Sequence, residues 1–141
     1  MSSRKTRYSD SDYKEYMRAY DEFYEKRCKI FGPKGCPRLD SQFSENIAAD
    51  KVGFTLKHKN GVDGIDVSGK TYEVKGTGYA NTKVRFNSRN EADRVIWVKA
   101  TQYKVFVYEV DNTIYSNCDQ NGFVDMTTQT IINTIYTLDF K

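Results

Sequence analysis

At 141 residues the chain is long enough for one domain with a real core, and its net charge of +3 neither demands a nucleic-acid partner nor opposes one. No run is long enough to cross a membrane, and the N-terminal segment lacks the apolar core of a secretory leader. The three cysteines, Cys28, Cys36 and Cys118, are odd in number and lack paired metal-ligand spacing, which argues against a disulfide framework or a zinc site and for reduced thiols in a cytoplasmic protein.

Met1 to Ser9 is polar and basic and reads as a flexible arm. Asp12 with Glu15 three residues on predicts a capping box. Tyr13, Tyr16, Met17, Tyr20, Phe23 and Tyr24 then recur at helical spacing, and the helix ends near Phe31, before Gly32-Pro33. The aromatic stripe suits core packing, or a dimer surface. Residues 34–40 form a turn-rich linker, whose Lys34 and Arg38 could approach phosphate. A second helix is expected from Gln42 to Lys51, with Glu45 in its first turn and Gly53 placed to end it. Glu45 there either interacts with the helix dipole or serves a site.

Phe54 to Lys59 alternates as a strand. His58, the only histidine, is expected to pack or hydrogen-bond rather than to catalyse. Gly61 to Gly78 reads as a β-hairpin turning at Ser68-Gly69-Lys70. A loop with an even number of residues puts Ile65, Val67, Tyr72 and Val74 on one face and Asp66, Glu73 and Lys75 on the other. An odd loop brings Asp63 onto the Glu73 face instead, and moves Ile65 and Val67 to the charged side. That favours Asp66, with Asp63 as a possible metal ligand or a turn residue. Three charges beside a buried strand pair cost several kcal/mol in desolvation unless something offsets them. A divalent cation between the carboxylates would do so.

From Lys83 to Lys104 there are six basic residues and two acidic ones. Thr77, Lys83, Arg85, Asn87 and Arg89 are candidates for a DNA-facing surface, and Glu91 to Arg94 reads as a short helix start. Val95 to Ala100 reads as a central strand with Trp97 in the core, and Lys104 to Val110 as its alternating neighbour. Asp111-Asn112 turns toward Ile114-Tyr115. A last helix is expected from Asp125, with Ile131, Ile132, Ile135 and Tyr136 as its buried stripe.

This order predicts an α/β fold with a mixed central β-sheet flanked by helices. It gives one domain over 1–141: a flexible arm (1–9), the first helix and linker (10–40), a core (41–110) and a C-terminal strand and helix (111–141).

Asp66, followed by Glu73-Val74-Lys75 in YEVKGT, resembles the signature of the PD-(D/E)XK nuclease superfamily. The run from Phe43 to Gly78 is most similar to small type II restriction endonucleases. It departs from their pattern in having no proline before Asp66. The resemblance implies a restriction-endonuclease-like fold and Mg²⁺-dependent, sequence-specific hydrolysis of double-stranded DNA to 5′-phosphate ends. It also implies a homodimer, with Asp66 and Glu73 on the metal, Lys75 positioning water, and Glu45 assisting. A structure-specific nuclease such as a Holliday-junction resolvase, and a non-catalytic DNA-binding module, are the alternatives.

Overall fold

The computed structural model describes residues 8–33, 37–59, 61–87 and 90–141. Most of the flexible arm, Lys34, Cys36 and Arg89 lie outside the described residues. The first helix, α1, spans Asp10–Phe31. Its N-cap is Ser9, one turn earlier than expected, and Asp12 completes the box from the third helical position. Ser9 wins because its hydroxyl and Asp12 satisfy each other's backbone donors reciprocally. Tyr13, Met17 and Tyr20 of the aromatic stripe are buried, whereas Phe23 is exposed. The second helix, α2, spans Ser41–Val52 and ends where Gly53 takes the left-handed conformation (φ +93°).

Among the described residues eight strands follow: β1 Thr55–Lys59, β2 Val62–Ile65, β3 Thr71–Thr77, β4 Lys83–Arg85, β5 Arg94–Ala100, β6 Lys104–Val110, β7 Phe123–Asp125 and β8 Ile131–Asp139. Six of them form one mixed sheet in the order β1-β2-β3-β5-β6-β8, in which only β3 and β5 run parallel. β4 and β7 make a separate antiparallel ribbon.

Two apolar clusters divide the core, and β5 feeds both. Ile96, Val98 and Ala100 join Tyr13, Met17, Tyr20, Phe43, Ile47 and Ala48 on the helix side. Val95 and Trp97 join Phe86, Ile114, Val124 and Met126 on the other. The alternation follows from the two-residue period of a strand, and explains why this run is almost uninterruptedly apolar. β3 obeys the same parity. Tyr72 and Val74 belong to the helix-side cluster, while the indole N–H of Trp97 donates to Thr77 Oγ1 at 2.9 Å on the opposite face. Gly76 lets α2 sit directly on β3, because a Cβ there would lie 2.1 Å from Ser44 Oγ.

Three expected helical or strand segments differ. Residues 91–93 are not helical. The Asp93 carboxylate instead accepts from the Thr71 amide and hydroxyl, and β5 begins at once. Ile114-Tyr115 starts a four-residue helix, α3, over Ile114–Asn117. The expected last helix is β7, a 3₁₀ turn at Met126–Thr128, and β8. The apparent helical period has a physical cause. Against β6, the pairing jumps past Ile132 and past Ile135, so two bulged residues disrupt an ordinary alternation. β-branched side chains then favour the strand. Ile131 and Ile132 are exposed rather than forming a buried stripe.

Candidate functional site

The hairpin register decides which acids meet. Gly64 pairs with Tyr72 and Ile65 with Thr71, leaving a loop of residues 66–70. The loop is odd, so Asp63 stands across from Glu73 and shares its face. Asp66 does not join the cluster. Its carboxylate accepts from the Ser68 and Lys70 amides and the Ser68 hydroxyl, and receives the Tyr72 hydroxyl at 2.9 Å. These donors hold its pKa down, to about 2, with the Ser68 hydroxyl the largest contributor. Asp66 is therefore the turn's organiser, on the Tyr72 side of the sheet. Ile65 shares the face of Asp63 and Glu73, as an odd loop requires, whereas Val67 lies in the turn and is fully exposed.

Glu73 is only 8% exposed, and Lys75 Nζ lies 3.4 Å from its Oε1. Burial pushes its pKa up; Lys75 opposes that rise, and the Asp63 and Glu45 charges add to it. Lys75 also sits over the Phe86 ring, 5.1 Å from the centroid, which fixes the ammonium beside the sheet. Asp63 Oδ2 accepts from the Val74 amide at 2.7 Å, which anchors its side chain to β3. Glu45 reaches the same place from α2. Its pKa is raised, first by burial and then by the Asp63 charge. His58 completes the group: Nε2 is 3.3 Å from Glu45 Oε1 and Nδ1 is 3.5 Å from Asp63 Oδ1.

The structure thus brings together Glu45, Asp63, Glu73 and Lys75 from the expected residues, adds His58, and excludes Asp66. One ligand atom from each of Glu45, His58 and Asp63 lies close to the others, so these three are the residues that could hold a cation. Glu73 stands beside that set, near enough for its charge to interact with those of Asp63 and Glu45, but is not one of the converging ligands.

Beside Lys75 opens a cleft of about 670 Å³, lined among others by Arg38, Gly76, Lys83, Arg85 and Phe123. Lys83 and Arg85 lie exposed on β4, and Asn87 is exposed just after it. Thr77 is not available to a phosphate. It is 2% exposed and accepts the Trp97 indole, so its role is in the core.

Among the described residues no helix is long and apolar enough to cross a membrane, and Cys28 and Cys118 are thiols rather than half-cystines. No protein-family model matches the chain, and no curated protein is similar to it.

Proposed function

We propose that this protein is a divalent-cation-dependent endonuclease of double-stranded DNA, acting as a type II restriction enzyme. The observation that supports this most is the buried Glu73, ion-paired to Lys75 and set across a hairpin from Asp63. A carboxylate kept in so unfavourable a place suits a function better than it suits stability. Mg²⁺ held by Asp63 and Glu45, with Glu73 beside them, would supply Lewis-acid polarisation of the scissile phosphate.

The chain's own residues do the rest. The basic cleft with Arg38, Lys83 and Arg85 seats the phosphate backbone next to Lys75. The Lys75 ammonium orients a water in line with the P–O3′ bond and stabilises the charge that develops on the phosphoryl oxygens. The water oxygen bonds to phosphorus and the P–O3′ bond breaks. The water gives up one proton and the 3′ oxygen takes up one, leaving a 3′-hydroxyl and a 5′-phosphate. Cutting both strands of a two-fold site is most simply done by two copies of the chain.

Incubation with bacteriophage DNA and Mg²⁺, followed by end sequencing, tests the reading. Discrete fragments lost in Lys75→Ala, with DNA binding retained, are expected. Cutting confined to four-way junctions would redirect the assignment to a resolvase. Undiminished cutting by Lys75→Ala would defeat it.

A further inference from the structure

His58 is brought to the acidic cluster by a local departure from strand geometry. β1 and β2 pair at Leu56–Gly64 and again at Lys59–Val62. Between those pairs β1 has two residues, Lys57 and His58, and β2 has only Asp63. This is a β-bulge, and it turns an extra side chain toward the residue opposite. In an unbulged strand Lys57 alone would oppose Asp63, and His58 would point to the other face. With the bulge, His58 meets both Asp63 and Glu45. One ligand atom from each of Glu45, His58 and Asp63 lies within 4.8 Å of the others. The third carboxylate, Glu73, is nearly buried and lies close enough for its charge and theirs to interact.

We infer that Glu45, His58 and Asp63 form a mixed nitrogen–oxygen cation subsite in which the His58 imidazole is a direct ligand, so that the protein prefers a first-row transition-metal ion over Mg²⁺. Mg²⁺ takes oxygen ligands, whereas imidazole moves a site toward the transition series, in which Mn²⁺ binds most weakly and is therefore the most stringent probe. His58 is 61% exposed at its side chain, so it can swing onto an ion without unpacking the sheet. The bulge orients it in advance. This inference rests on the cation-binding part of the proposed function and specifies the class of ion that part would take.

The test uses the full chain and needs no DNA. Mn²⁺ and Mg²⁺ affinities are measured by calorimetry, and Mn²⁺-loaded protein is examined by pulsed electron paramagnetic resonance for coupling to an imidazole ¹⁴N. In the wild type, a ¹⁴N coupling and a preference for Mn²⁺ are expected. In His58→Ala the coupling should vanish, and the Mn²⁺/Mg²⁺ affinity ratio should fall at least about tenfold. Circular dichroism should show His58→Ala folded, since the side chain is exposed. No Mn²⁺ binding, no ¹⁴N coupling in the wild type, or an unchanged affinity ratio in His58→Ala would each overturn the inference. DNA cleavage with Mg²⁺ on the same samples reports separately on the nuclease reading. That reading stands if cleavage persists while the ¹⁴N coupling is absent, and falls if the coupling is present while no metal supports cleavage.

Discussion

β3 presents two unlike faces. Toward the helices it offers Tyr72, Val74 and Gly76, which pack against Phe54, Phe43 and α2 with little room to spare. Toward the ribbon it offers Glu73, Lys75 and Thr77, of which the first two place charge where water is scarce. The strand geometry is the same on both sides, and only the chemistry alternates. One face is apolar throughout, while the other sets the Glu73–Lys75 pair beside the buried Thr77–Trp97 hydrogen bond. A charge pair so placed is weak evidence for stability and is in keeping with the proposed function.

The largest expected effect lies on the charged face. Lys75→Ala should lower DNA cleavage by roughly a hundred- to a thousandfold, the usual scale for losing a group that stabilises developing charge. A filter-binding assay should show DNA affinity little changed. If stability collapses instead, the two faces are not separable in this way. On the packed side, Ile96→Ala should lower the unfolding free energy by about 2–5 kcal/mol, as for other buried aliphatic truncations. Urea titration measures it.

Glu73→Gln should reverse that sign. Without added cation it should raise stability at neutral pH, because it removes a charge that burial disfavours while keeping the shape, and the partly exposed Lys75 ammonium keeps its access to water. Its pH dependence follows from the raised pKa of Glu73. The folded protein binds that proton more tightly than the unfolded chain does. The resulting stability is therefore fully present below the ordinary glutamate value of 4.5 and is lost as pH rises through the folded value. The advantage of Glu73→Gln over wild type should accordingly be absent below pH 4.5 and grow toward neutrality in thermal melts.

The smallest effect concerns Asp66. Its lowered pKa gives stability that is present above 3.8 and lost as pH falls through about 2. Asp66→Asn should lower Tm modestly at neutral pH, converge with wild type near pH 2, and leave cleavage intact. Loss of cleavage in Asp66→Asn would return Asp66 to the site and blur the distinction between the faces.

Much of this architecture is legible in the residues. The tyrosine-rich period of α1, the continuous apolar run of β5 and the alternation of β6 announce themselves, because each buries a regular stripe. Glu73 and Lys75 are readable together, as residues two apart on one strand. Their acidic partner is harder to read, because it depends on whether the loop is odd. A clue was present in Asp66 with Ser68 two residues on, a pattern that bonds a side chain back to its own turn and so consumes the aspartate. His58 and β8 are hidden for a shared reason. Each depends on bulges, which shift a side chain from one face to the other without any mark in composition. At β8 they also imitate the spacing of a helix.

The two-sided burial of β5 has a consequence for how the molecule comes apart. Ile96 and Val98 close one apolar cluster, and Val95 and Trp97 close the other, from the same seven residues of chain. The two cores share a wall, so neither can melt and leave the other standing. Heat should produce a single calorimetric transition, with the Trp97 fluorescence change and the loss of helical signal falling at one temperature.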